Sequence, residues 1–189
     1  MQYSAWQSGS PVASPAYLDA NVLVGAVVRG HPLYRTTAKL TGGLLASGVH
    51  ILVSVLTVEE SLWAMAKLSY CELHNQPSSA AFKESTYRRH LQEMFSMHGA
   101  RMDAITQMLR DWSDAGATIE VVPNTKREFL QASALTSQYM RRYSLTPADA
   151  MHLALAEAYA SSFVTADAQF RRVANEAPPN GLVIVGVRP

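Results

Sequence analysis

The chain has a single cysteine, Cys71, so it can close no disulfide on itself and cannot build a cysteine cluster around zinc or iron. A reducing, cytoplasmic setting is the expectation. It also lacks any run of the roughly 18 to 20 apolar residues that a membrane helix requires. Charge of one sign is missing too: 16 Lys and Arg stand against 15 Asp and Glu, a formal net charge of +1. A global electrostatic pull on nucleic acid is therefore excluded, and any such role must rest on local patches. There is no Gly-x-Ser-x-Gly elbow and no glycine-rich phosphate loop, which removes serine-hydrolase and P-loop chemistry. The opening residues, Met1–Ala16, lack a basic segment followed by an apolar one, so residues 1–15 read as a flexible tail rather than a secretory signal.

What is present describes a folded protein, with 48% hydrophobic and 16% charged residues over 189 positions. That length suits one domain, residues 16–189, with an elaboration. Short apolar runs alternate with helical periodicity. Ala16-Tyr17-Leu18, His50–Val55, Ile119–Val122, Phe163–Thr165 and Leu182–Val185 read as strands, with helices between them. Parallel neighbours need crossover connections, so this order predicts an α/β fold with a central, mostly parallel sheet flanked by helices. A long helical arm over about 74–116 interrupts it. One of its faces, with Met94, His98, Met102, Ile105 and Met108 at three- and four-residue intervals, reads as core or dimer interface.

Four acids are expected at the carboxyl-end rim of such a sheet. Asp19 ends the first strand, Glu60 opens the helix after the second, Asp149 opens the helix before the fourth, and Asp167 follows the fourth. Each has a plain structural reading. Thr57-x-x-Glu60 and Thr146-x-x-Asp149 have capping-box spacing, with Thr57 and Thr146 at the N-caps; Asp19 suits a turn and Asp167 an N-cap. Capping does not require the four to converge, whereas a divalent cation does. Carboxylates crowded together are kept ionised by such an ion, and oxygen ligands favour Mg²⁺ or Mn²⁺. The chemistry that follows is hydrolysis of a phosphate ester. His152, one turn beyond Asp149, reads as a packing residue, and His31, His74, His90 and His98 have no metal spacing. Of the paired basic residues, Arg171 and Arg172 stand nearest the last acid and are the ones expected to meet a phosphate backbone.

The motifs Tyr17-Leu18-Asp19-Ala20-Asn21-Val22-Leu23, Ser54-Val55-Leu56-Thr57-Val58-Glu59-Glu60, Leu145-Thr146-Pro147-Ala148-Asp149-Ala150-Met151-His152-Leu153-Ala154 and Phe163-Val164-Thr165-Ala166-Asp167-Ala168-Gln169-Phe170 resemble, in order, those of the PIN-domain ribonucleases, especially the VapC-type toxins. The resemblance implies a PIN-like fold, often a homodimer, that cleaves RNA with Mg²⁺ or Mn²⁺. It implies that Asp19, Glu60, Asp149 and Asp167 form the acidic, metal-holding quartet, with Thr165 as a polar helper and Asn21 shaping the first acidic turn beside the substrate. It also implies a small antitoxin partner that seats a basic residue among the carboxylates. Glu59 stands as an alternative to Glu60, one residue out of register. The long arm and the N-terminal extension depart from the compact toxin pattern. Two other readings follow: a catalytically weak RNA- or protein-binding module that uses the arm, and a phosphatase with an aspartyl nucleophile, which the Asp19-x-Asn21 turn suits poorly.

Overall fold

The structure, a computed structural model, describes residues 1–75, 103–177 and 180–189. Its elements run β1 (Gln2–Ala5), β2 (Ala16–Leu18), α1 (Ala20–Val27), α2 (Tyr34–Ala46), β3 (Ile51–Val53), α3 (Val55–Leu73), α4 (Ala104–Asp114), β4 (Ile119–Val121), α5 (Lys126–Tyr143), α6 (Pro147–Tyr159), β5 (Ser162–Thr165), α7 (Gln169–Glu176) and β6 (Val183–Gly186). Most of the expected helical arm lies outside the described residues; within them its last part is α4. No described helix is long and apolar enough to cross a membrane.

The six strands form one sheet in the order β1-β6-β5-β2-β3-β4, every pair parallel. Side chains alternate across it, and both faces are apolar, as helices on either side demand. Tyr17, Leu52, Phe163 and Ile184 are in register and form one row, which packs against residues of α5, α6 and α7. Ala16, Leu18, Ile51, Val53, Val164 and Val185 form the opposite face, covered by α1, α2, Met65 of α3 and Ile105 of α4. All carboxyl ends reach one edge, so whatever the last residue of each strand carries is delivered to a common rim.

Three local expectations need correction. The tail holds a strand: Gln2–Ala5 pair with Val183–Gly186 and extend the sheet by one edge. Its sequence, Gln-Tyr-Ser-Ala, has no apolar run to announce it; backbone bonds to β6 hold it. The strand predicted over His50–Val55 stops at Val53, because Ser54 takes the N-cap of α3. Its Oγ accepts from Thr57 N at 3.0 Å while Thr57 Oγ1 accepts from Ser54 N at 3.3 Å. The capping box is therefore Ser54 with Thr57, not Thr57 with Glu60, and Glu60 falls in the second turn with no capping duty. At α6 the expected cap holds, with Thr146 Oγ1 accepting from Asp149 N at 3.2 Å and Pro147 in the first turn.

Candidate metal centre

Asp19 caps α1 from the end of β2, and its carboxylate is enclosed on one side by donors. Oδ1 accepts from Ala20 N at 2.7 Å, and Oδ2 accepts from Asn21 Nδ2 at 2.7 Å and from Thr165 Oγ1 at 2.5 Å. Asn21 Oδ1 in turn accepts from Ala166 N at 2.9 Å. Both ends of the Asn21 amide are thus spent on tying the β2 end to the β5 end, which makes it an organiser of the acid rather than a free group. Thr165, fully buried, serves the same purpose from β5 and also accepts from Asp167 N at 3.0 Å.

Glu60 and His152 complete the cluster from α3 and α6. Glu60 Oε2 lies 2.8 Å from His152 Nε2, and Asp19 Oδ1 lies 4.0 Å from the same nitrogen. One ligand atom each from Asp19, Glu60 and His152 come within 4.8 Å of one another. Glu59, by contrast, is exposed, so the cap at Ser54 has turned Glu60 and not its neighbour to the rim.

The ring of His152 is held from behind. Its Nδ1 lies 2.7 Å from Tyr17 Oη, which also lies 2.7 Å from Ser54 Oγ and 3.1 Å from Thr57 Oγ1. All four residues are buried. The α3 cap and the imidazole are therefore one hydrogen-bonded unit with Tyr17 at its hub. We expect Tyr17→Phe to leave His152 Nδ1 short of a buried partner and to destabilise the fold by about 1–3 kcal/mol. A thermal melt in chelator checks this, with Phe163→Leu, which alters the apolar packing on the Tyr17 and Phe170 rings, as the packing control.

Electrostatics follow from the burial. Burial pushes the Asp19 carboxyl above its ordinary range, and the nearby Glu60 adds to this; the charge of His152 and the hydrogen bonds from Thr165 and Ala20 oppose it. Burial disfavours a charged His152, yet the bond to Glu60 and the charges of Asp19, Glu60 and Asp149 outweigh it and raise the imidazole above its ordinary value. As an imidazolium both ring nitrogens donate, Nε2 to Glu60 and Nδ1 to Tyr17. The two carboxylates thus converge on a point where a positive charge is wanted.

That point fits a divalent cation. Two carboxylate oxygens supply the charge and an imidazole nitrogen, braced through its other nitrogen, supplies a neutral third ligand. The set departs from the all-oxygen expectation, because His152, read from sequence as packing, faces the acids. The signal was present: Asp149-x-x-His152 places both on one face of α6.

The remaining predicted residues stand on the same rim with local partners. Asp149 Oδ2 accepts from Thr146 Oγ1 at 2.5 Å, and its charge reaches His152. Asp167 accepts from Gln169 N at 2.8 Å and Gln169 Nε2 at 2.7 Å, which is helix-start chemistry at α7. Neither belongs to the group of three mutually close ligand atoms found among the described residues. The two arginines part company. Arg172 donates to the Tyr143 carbonyl at 2.7 Å and lies 4.0 Å from Glu176, whereas Arg171 stands over the Tyr3 ring, 5.7 Å from its centroid.

Comparison with known proteins adds three findings. Residues 16–176 match the sequence profile of the PIN domain. No curated protein matches the sequence. Among solved structures, the chain is similar to the crystal structure of VapBC2 from Rickettsia felis bound to a DNA fragment from their promoter, at 16% identity over 92% of this chain and 98% of that one, with a TM-score of 0.45.

Proposed function

This chain belongs to the PIN-domain family, and from that membership we propose that it is an endoribonuclease dependent on Mg²⁺ or Mn²⁺, whose cation is held at the rim by Asp19 and Glu60 with His152 beside them. The observation that carries the reading is the meeting of these three side chains, from β2, α3 and α6, around one buried carboxylate. When bound, the cation would polarise a phosphodiester and lower the pKa of an attacking water. The protein's share is positioning. Thr165 and Asn21 fix Asp19 with Oδ1 toward His152 Nε2; Tyr17 fixes the imidazole through Nδ1, which leaves Nε2 directed between Glu60 and Asp19. Asp149 and Asp167 add negative charge beside them and complete the acidic quartet.

The order and spacing of the four motifs support a finer reading, as the toxin of a toxin–antitoxin pair that works as a homodimer and is held inactive by a small partner protein. Growth arrest on expression, relieved by the partner, is its test.

For the nuclease itself, the decisive experiment is cleavage of a single-stranded and a structured RNA by wild type and by Asp149→Asn, each with Mg²⁺, Mn²⁺ and chelator. Wild type should cut only with metal. Asn at 149 keeps its own N–H bond to Thr146 Oγ1 and much of the capping while removing one charge, so the variant should stay folded and lose at least about tenfold in rate, as loss of an electrostatic contributor does. Inert wild type with every metal and both RNAs overturns the reading and leaves a binding module.

A further inference from the structure

Beyond the acids the rim continues onto β6 and β1, and there its character reverses. Thr165 is in register with Gly186, and Val187 N donates to the Thr165 carbonyl at 2.8 Å, so Arg188 follows just beyond β6 at the same edge of the sheet. Beside it lies a cavity of about 340 Å³ lined by Tyr3, Thr165, Asp167, Arg171, Gly186 and Arg188. Tyr3 comes from the N-terminal strand, in register with Ile184, and its ring reaches over Gly186: a Cβ at that glycine would collide with the end of the Tyr3 side chain. The arrangement therefore requires glycine at 186. The upper face of the Tyr3 ring is taken by the Arg171 guanidinium, which makes the ring a platform for a cation and not for a base.

Both arginines are exposed, and among the described residues neither forms an ion pair, unlike Arg172. Tyr3 and Arg171 also line a second cavity, of about 810 Å³, that leads along β1 toward Asn175 and Asn180. A polyanion brought to Asp19 and Glu60 meets repulsion there, and the net charge of +1 offers no compensation at a distance. Anchoring cations must therefore stand close to the path of the strand, within about one Debye length of it, ~8 Å at physiological salt.

We infer that the trough formed by Tyr3, Arg171 and Arg188 holds the sugar–phosphate backbone of the single-stranded polynucleotide whose scissile phosphate lies at the acidic centre. This rests on the nuclease reading for the identity of the strand. The subsite reads charge and not sequence, because its one aromatic face is occupied by Arg171. It is built by β1, so the extension at the start of the chain is part of the substrate path.

The test is binding of a labelled single-stranded RNA of about 12 nucleotides, by fluorescence anisotropy in chelator across a salt series. Arg171→Ala/Arg188→Ala is compared with wild type and with Lys126→Ala/Arg127→Ala, which removes the same charge far from the trough. Loss of two phosphate contacts should lower the slope of log affinity against log salt by about 1.4 and weaken binding about tenfold near physiological salt. The Lys126/Arg127 variant should match wild type. Equal weakening in both variants, no weakening in either, or no binding by wild type overturns the inference. Cleavage with Mn²⁺ runs in parallel: the trough variant should raise KM while kcat stays within about twofold. If RNA binds with the expected charge dependence but is never cut, the nuclease reading falls and the trough stands. If cutting is normal and the trough variant binds as wild type does, the reverse holds.

Discussion

Asp19→Asn should lower metal-dependent RNA cleavage by roughly 10³-fold, as removal of one preorganised electrostatic group does, and should change stability in chelator by no more than about 2 kcal/mol, because relief of a buried charge offsets the bonds lost where the new amide NH₂ faces a donor. The two halves of this result come from one property. Asp19 is 6% exposed, and burial holds its carboxyl above its ordinary pKa. With the sign worked through, a carboxyl raised on folding favours the native state while protonated and loses that advantage as pH rises from its unfolded value through its folded one. At neutral pH, in the absence of metal, an ionised Asp19 thus carries a desolvation cost that an amide of the same shape removes, against the bonds from Ala20 N or Asn21 Nδ2 that the amide nitrogen cannot accept. With metal the burden becomes the ligand. Thermal melts should show Mn²⁺ raising the transition of wild type, by about 2.7 kcal/mol at a hundredfold excess over its dissociation constant, with no rise in the variant. A variant that unfolds, or that gains from Mn²⁺ as wild type does, would place the structural importance of Asp19 above its role at the centre.

Glu60→Gln should cost about 10²-fold in cleavage, and Glu59→Gln should stay within about twofold. The contrast tests the phase of α3. Ser54, not Thr57, begins that helix, and a helix turned by one residue would carry Glu59 to the rim about 100° away. Gln at 60 also removes the charge that faces His152 Nε2 at 2.8 Å, so the imidazole should titrate lower than in wild type, a shift that NMR of the ring protons reads directly. Equal losses at 59 and 60 would mean that the helix face, and with it the cluster, is misassigned.

Much of this was legible in the chain. The five apolar runs gave their strands because a parallel sheet covered on both faces needs uninterrupted Val, Ile, Leu and Phe. Thr146 announced its helix, and Thr125, whose Oγ1 accepts from Glu128 N at the start of α5, is a signal of the same kind. What was hidden is instructive. Strand β1 has one apolar side chain worth the name, and its place depends on backbone bonds to a partner some 180 residues away. Ser54 and Thr57 are both good caps at capping-box spacing, and local rules alone do not choose between them. The choice is settled by Tyr17, whose hydroxyl binds both. His152 was missed for the same reason: Tyr17 and Glu60, its partners, are 135 and 92 positions away. Asp149 and Asp167 were found by their acidity, but their local bonds to Thr146 and Gln169 were equally foreseeable.

The place of β5 in the sheet also sets a schedule. It is among the later segments of the chain, yet it lies between β2 and β6 near the centre, and its Thr165 reaches back 146 positions to hold Asp19. Pairings of such separation close late in folding. During synthesis the first acid emerges long before the strand that orients it. A growing chain therefore carries the parts of the acidic centre unassembled through most of its translation, and the centre is complete only when β5 has been made. On the nuclease reading proposed above, the substrate is the class of molecule being read to produce the chain, and that order would keep the message safe until the protein is finished.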